Sequence, residues 1–342
     1  MDSNFHKHVD EALSRISSLI RKTPLQYSPS LSVKTGSEVY LKLENFQVTG
    51  SFKARGAANK LMILSKDKPE RIITASSGNH GSAVANAAAE LGLEVLIFLP
   101  KTVSPAKLNK IKLFGAEVVL TEADGRTDAE TAARAYAEEN NFPYLSPYND
   151  LDVITGQATT AAEVLKENKN FDAVFIAMGG GGLISGMGGY LKQKISDVSV
   201  IACSPENSAA MHHAIEAGRI EAIEHLDTLS DGTAGALEFG TITFEFCKSV
   251  VDHSITVSEE EIASAMKDFI GEHQMMIEGA AGVAIAGLLK EKEKYRDKKV
   301  LIVICGGNIS NQTLVEVLKL SLIHISEPTR PLYISYAVFC LK

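Results

Sequence analysis

The sequence predicts an α/β fold built on parallel sheets, and three observations carry that expectation. Seven short runs are β-branched and almost continuously apolar, the pattern of strands covered on both faces. Segments with apolar spacing near 3.6 separate them, so strand and helix alternate along the chain. Clusters of glycine and small polar residues stand directly after several of the strands, where a parallel sheet turns its chain into a helix. At 342 residues the chain is long enough for roughly two domains.

Taken in order, MDSNFHKHVDEALSRISSLIRK reads as an amphipathic helix with Val9, Leu13, Ile16 and Ile20 on one face. Strand EVYLKLE (38–44) precedes a helix over 52–64, and strand RIITA (71–75) precedes a helix over 80–91. Strand EVLIFLP (94–100) leads to a helix over 105–114, where Ser104 is the expected N-cap and Pro105 takes the first helical position. Strand AEVVL (116–120) is followed by helices over 127–140 and 156–167. DAVFIAM (172–178) feeds a glycine run and another helical stretch, then comes VSVIACS (198–204). Ser258 with Glu261 is a capping box opening a helix over 258–273, a further helix covers 279–290, and KKVLIVIC (298–305) is the last strand. The βαβαβ stretch 71–146 is expected to form a small domain, with 1–70 and 147–319 joining into a larger, discontinuous one.

Composition narrows the function classes. Lys+Arg number 34 against 42 Asp+Glu, a net charge of -8, with no basic cluster, which disfavours nucleic acid and anionic membrane surfaces as partners. The four cysteines, at 203, 247, 305 and 340, are far apart and form no CxxC, so neither a zinc site nor a disulfide framework is indicated. The N-terminus lacks the apolar core of a signal peptide. No run of 18 apolar residues exists, so the cytoplasm is the expected compartment.

The segment 320–342, LSLIHISEPTRPLYISYAVFCLK, differs in character from the rest. It matches the translation of a transposase-type sequencing-library adapter, with 320–330 and 334–342 as its two ends, and is expected to be an artefact outside the fold. Setting it aside leaves a net charge of -9 and three cysteines for residues 1–319.

Four motifs carry the chemistry. In Gly50-Ser51-Phe52-Lys53-Ala54-Arg55-Gly56, Lys53 falls in the first turn of a helix, where the dipole disfavours its charge and favours the neutral amine that a Schiff-base lysine needs. Ser76-Ser77-Gly78-Asn79-His80-Gly81 joins a strand to a helix N-terminus, a natural grip for a carboxylate. Gly179, Gly180, Gly181 and Gly182 follow a strand and let backbone amides converge on a phosphate, although the spacing is neither a dinucleotide fingerprint nor a P-loop. Val303-Ile304-Cys305-Gly306-Gly307-Asn308 ends the last strand, and by residue type alone Cys305 reads as a buried structural thiol. Each motif taken singly also suits a solvated lysine, a capped turn or a flexible loop.

Together and in this order, the four motifs resemble the fold-type II pyridoxal-phosphate enzymes, and among them the serine/threonine dehydratases and serine racemases. Thr23-Pro24-Leu25, Lys42-Leu43-Glu44, Thr155-Gly156-Gln157, Asp231-Gly232 and Glu278-Gly279 extend the likeness to about residue 319. The resemblance implies a tryptophan synthase β-like fold, each of its two domains an open twisted, mainly parallel sheet flanked by helices. It implies that Lys53 carries pyridoxal 5'-phosphate as an internal aldimine, with Phe52 beside the ring. Gly179, Gly180, Gly181 and Gly182 would hold the phosphate, Asn79 the 3′-oxygen, and Cys305 the pyridine nitrogen. Ser76, Ser77, Gly78, Asn79 and His80 would bind the substrate carboxylate. A neutral thiol at the ring nitrogen makes a weaker electron sink and favours prompt β-elimination.

The implied reaction is dehydration and deamination of L-threonine or L-serine. Serine racemase is the alternative, because Ser77 resembles the second acid/base of racemases. Their metal-ligating Glu and Asp correspond here to Ser204 and Ala210, so no activating cation of that kind is expected. Arg126 would suit a second substrate carboxylate, as in hydroxyaspartate ammonia-lyases. His212 and His213, being adjacent, are not expected to ligate together. A β-replacing synthase and a non-catalytic nucleotide binder are the remaining classes; the Asp231-Gly232 and Glu278-Gly279 segments resemble dehydratases rather than synthases. The family commonly forms dimers or tetramers, which implies a homo-oligomer.

Overall fold

The computed structural model describes residues 2–122, 126–168 and 170–323. Its helices are α1 (Phe5–Ile16), α2 (Pro29–Thr35), α3 (Lys53–Leu64), α4 (Asn79–Leu91), α5 (Pro105–Leu113), α6 (Arg126–Glu139), α7 (Leu151–Glu167), α8 (Gly182–Lys194), α9 (Ala210–Ala217), α10 (Ile242–Val250), α11 (Glu259–His273), α12 (Gly279–Lys290) and α13 (Asn311–Ile323). The strands are β1 (Leu25–Tyr27), β2 (Glu38–Leu43), β3 (Ile72–Ala75), β4 (Val95–Pro100), β5 (Glu117–Thr121), β6 (Ala173–Ala177), β7 (Ser199–Pro205), β8 (His253–Val257) and β9 (Lys299–Ile304).

Two sheets result. Six strands run in the order β1-β2-β9-β6-β7-β8, and three run β3-β4-β5. Every pairing is parallel except β1 with β2. β6 and β9 are buried along nearly their whole length because helices cover both faces, which is why they read as unbroken apolar runs. Sheet order places the first long strand against the last, with Leu43 opposite Ile304. All carboxyl ends of the six-stranded sheet's parallel strands therefore open on one edge, the position where open α/β sheets bind ligands.

The caps follow local chemistry. The Ser104 hydroxyl accepts from Lys107 N, and Pro105 stands at the helix start. The reciprocal capping box of Ser258 and Glu261 is present. Several expectations needed correction. α1 stops at Ile16 and buries Phe5, Val9, Ala12 and Ile16, so Ile20 lies beyond it. α7 begins five residues before 156, because the Asp150 carboxylate accepts from Asp152 N and Val153 N and starts the helix there. β8 escaped notice because His253, Ser254 and Thr256 dilute its apolar pattern, as its edge position in the sheet permits. α10, ITFEFCKSV, carries β-branched and aromatic residues that suit a strand, and packing against α8 overrides that preference. Of the tail expected to lie outside the fold, 320–323 continue α13, and 324–342 lie outside the described residues, as does the Arg126 side chain.

Candidate active site

Lys53 is fixed by pairing between the segment before α3 and the end of β9. Ser51 bridges Gly306, Phe52 N donates to Cys305 O at 3.0 Å, and Gly307 N donates to Gly50 O at 2.9 Å. Gly50 has φ +79, and a Cβ there would lie 2.7 Å from Asn308 Oδ1, so both its backbone and its surroundings demand glycine. Lys53 is the first residue of α3 and half-buried. Its Nζ donates to Pro147 O at 2.7 Å and lies 5.3 Å from the centroid of the Phe52 ring. Burial pulls its pKa down to about 8, against the opposing pull of Glu278.

Two residues on, Arg55 anchors the first turn of α3 in a buried ionic cluster. Its Nε and Nη2 donate to Glu44 at 2.8 and 2.7 Å, and Nη1 and Nη2 donate to Glu163 at 2.9 and 2.8 Å. Lys42 Nζ donates to Glu163 at 2.6 Å and to Thr23 O at 2.7 Å. Thr23, Lys42 and Glu44, which carried part of the family resemblance, are therefore structural. One cluster ties β2, α3 and α7 beneath the lysine. Gly156 sits where a Cβ would be 2.6 Å from Arg55 O and from Gly56 Cα, so α3 and α7 cross at close range.

The Ser76 to Gly81 motif joins β3 to α4, which starts at Asn79. A Cβ on Gly81 would collide with Ser76 O, so the loop folds tightly back on the helix start. His80 turns away from the loop. Its Nε2 lies 3.1 Å from Thr74 Oγ1, and Thr74 Oγ1 itself donates to Leu145 O at 2.7 Å, so His80 Nε2 carries the proton. Burial, reinforced by the charge of Lys53, lowers the pKa of His80 to about 3, and the ring is neutral at physiological pH. What His80 offers a ligand at this helix start is its backbone N–H, not a charged ring.

Asn79 Nδ2 donates to both carboxylate oxygens of Glu278, at 2.9 and 3.0 Å, and Asn79 Oδ1 accepts from Asn308 Nδ2 at 2.7 Å. Glu278 also accepts from Asn308 N at 3.2 Å and lies 4.0 Å from Cys305 Sγ. Burial raises its carboxyl above the usual range, opposed by Asn79, Asn308, Lys110 and Lys53. Cys305 is buried, and desolvation together with Glu278 raises its thiol well above the ordinary value, so it stays protonated.

The glycine loop leads from β6 into α8. Gly181, at φ +86, is the N-cap, and Gly182 is the first helical residue. A Cβ would lie 2.7 Å from Thr233 backbone atoms at Gly179, 2.7 Å from the Tyr148 ring at Gly180, and 2.7 Å from Cys247 Sγ at Gly181. Only hydrogen fits between these walls, which leaves the backbone N–H groups bare at a helix N-terminus.

The model of the family described as "Pyridoxal-phosphate dependent enzyme" matches residues 16–306. The chain belongs to this family. Among pyridoxal-phosphate dependent enzymes, the L-threonine ammonia-lyase of Thermotoga maritima is 37% identical over 316 residues, covering 92% of this chain and 78% of the relative. Threonine deaminase isoform 2 from Solanum lycopersicum, in its processed form, superposes with a TM-score of 0.88 at 30% identity, covering 94% of each chain. Serine racemase from Dictyostelium discoideum superposes with a TM-score of 0.82 at 32% identity, covering 89% of this chain and 98% of that one. Pyridoxal phosphate is the family's cofactor. The residues present fit it: a lysine whose pKa is depressed to about 8 and a glycine cradle that any Cβ would fill.

In the sequence Glu278 carried only part of a resemblance and Asn308 stood in a motif with no role assigned, while nothing pointed to Tyr148 or Glu238. Tyr148 walls the glycine loop, its hydroxyl accepting from Glu238 N at 3.1 Å. Arg134 on α6 pairs with Glu238 at 2.8 Å, linking the three-stranded sheet's helices to the loop before α10. A charged residue directly before the glycine-rich start of α12 was the available signal for Glu278. Ser204, the counterpart of a racemase metal ligand, instead donates its hydroxyl to Met178 O at 3.0 Å. No helix among the described residues is long and apolar enough to cross a membrane.

Proposed function

We propose that the chain is a pyridoxal-phosphate-dependent ammonia-lyase that converts L-threonine to 2-oxobutanoate and L-serine to pyruvate, each with release of ammonia. The carrying observation is the Lys53 amine, depressed to about 8 beside a glycine cradle and a helix start. The names of the similar threonine ammonia-lyase and threonine deaminase support the substrate class.

When bound, pyridoxal phosphate supplies an electron sink for the carbanion character that develops at the substrate Cα. Lys53 would hold it, Gly179, Gly180, Gly181 and Gly182 its phosphate, Phe52 one side of its ring, Asn79 the 3′-oxygen and Cys305 the pyridine nitrogen. The Cys305 thiol, kept protonated by burial, is too weak an acid to protonate that nitrogen. The backbone N–H groups at the start of α4, together with Ser76, Ser77, Gly78, Asn79 and His80, would bind the substrate carboxylate. Lys53 Nζ takes the Cα proton, and a pKa near 8 lets it accept and return a proton close to neutral pH.

Racemisation is the second reading, favoured by Ser77 and by the superposition on serine racemase. Residues 71–146 would form the small domain, with 1–70 and 147–319 as the large one. A cytoplasmic homo-oligomer, dimer or tetramer, completes the proposal. Incubation with L-serine, L-threonine and threo-3-hydroxyaspartate in parallel, measuring oxo acid and D-amino acid together, tests it. Oxo acid from threonine and serine is expected to predominate. Mainly D-serine would make the chain a racemase, and product from hydroxyaspartate alone would move the substrate class.

A further inference from the structure

α9 carries two adjacent histidines that the spacing rule for helix faces sets apart. The structure brings them together through a third residue. Glu216 lies four residues after His212 and three after His213, so it stands between their two directions on the helix. His212 Nε2 is 3.4 Å from Glu216 Oε2, and His213 Nδ1 is 3.9 Å from the same oxygen. All three donor atoms lie within 4.8 Å of one another.

We propose that His212, His213 and Glu216 form a binding site for a transition-metal dication of the zinc class. A tetrahedral ion with bonds of about 2.0–2.2 Å places its ligand atoms about 3.3 Å apart. The His212–Glu216 separation already matches, and the His213 ring, 51% exposed, closes the rest by rotating. Two imidazoles and one carboxylate suit Zn²⁺, Ni²⁺ or Cu²⁺ rather than Mg²⁺ or Ca²⁺.

Two further features favour this set. His212 Nδ1 lies 2.8 Å from Ser254 Oγ on β8. Donation from Nδ1 to that hydroxyl fixes the ring and leaves Nε2 as the free lone pair, the outer-shell support typical of metal-bound histidine. Glu216 also sits in the last turn of α9, where the helix dipole favours positive charge. The exposed carboxylate gives an ion direct entry from solvent, and three protein ligands leave one position open.

The site adjoins the cofactor cradle without sharing residues with it. Met211, the neighbour of His212, packs beside Gly181 on the inner side of the same helix. A bound ion would brace one turn of the wall behind the glycine loop.

Titration calorimetry of the cofactor-loaded protein with ZnCl₂ in phosphate-free buffer tests the site. One Zn²⁺ per chain is expected in the parent, absent in His213→Ala and Glu216→Gln, both exposed changes that leave the fold intact. Ser254→Ala should weaken binding by about tenfold, the outer-shell range. No uptake by the parent, or the same stoichiometry and affinity in His213→Ala and Glu216→Gln, overturns the proposal. Unchanged affinity in Ser254→Ala overturns the assigned orientation of His212.

Discussion

Replacing Arg55 by Met tests whether the charges beneath Lys53 work as one unit. Lys42, Glu44 and Arg55 have side chains 0% exposed, and Glu163 is 5% exposed. The two cations and two anions cancel. Removing Arg55 leaves Glu44 and Glu163 sharing Lys42, one net buried negative charge, and takes the donor from Glu44 Oε2, while the Thr23 hydroxyl still donates to Oε1. Breaking such a buried pair costs about 3–5 kcal/mol. With an unfolding entropy of about 2.1 cal/mol/K per residue, a chain of 342 residues shifts by about 1.4 °C per kcal/mol, so the melting temperature should fall by about 4–7 °C. Differential scanning calorimetry of the parent and Arg55→Met measures it. Arg55→Lys, which keeps the charge but not the two-sided fork, should fall between them. Arg55→Met/Glu163→Met, which restores neutrality, should recover part of the loss. A loss below about 0.5 kcal/mol in Arg55→Met, the range of an ordinary surface change, refutes the reasoning.

Two further outcomes concern the proposed cofactor site. The folded-state pKa of Lys53 is about 8 against 10.5 for an ordinary lysine, so between these values the folded protein binds fewer protons than the unfolded one. Lys53 therefore costs the cofactor-free protein stability at low pH, a cost that fades as pH rises from about 8 to 10.5. The rate at which cofactor-free protein captures pyridoxal phosphate should rise with a midpoint near pH 8, and a midpoint at 10.5 would contradict the assignment. Gly180→Ala would put a methyl 2.7 Å from the Tyr148 ring, inside the carbon contact distance of about 3.5–4.0 Å. Overpacking of this kind costs about 1–3 kcal/mol, equivalent to about 5- to 150-fold weaker cofactor binding. Equilibrium dialysis reads it, and unchanged affinity would show that the loop gives way freely.

The seven expected strands are all present: β4, β6 and β9 were legible because burial on both faces leaves an unbroken apolar run, whereas β5, an edge strand that exposes Glu117 and Leu120, was legible from its β-branched residues alone. β8 and α10 were illegible for the opposite reason: what makes one a strand and the other a helix is the neighbour each packs on. The same division holds in the site. Lys53, the glycine loop and the α4 start are local motifs, readable because backbone geometry requires those residue types in sequence. Glu278 and Asn308 meet Asn79 across about 200 residues of chain, at the start of α12, after β9 and at the start of α4, a juxtaposition no local motif announces. His80 shows the limit of motif reading, since its position at the helix start was legible but the turn of its ring toward Thr74 was not.

The bond from Phe52 to Cys305 also has a consequence in time. The segment that presents Lys53 emerges from the ribosome roughly 250 residues before the strand that holds it. At translation rates of about 5–20 residues per second, this lysine waits about 13–50 seconds for its partner. Throughout that interval the nascent chain can shape the three-stranded sheet from neighbouring residues, while the six-stranded sheet still lacks its central β9. The proposed cofactor-binding end of the protein is thus assembled last, and a chain released before residue 305 carries the Lys53 amine without the strand that positions it.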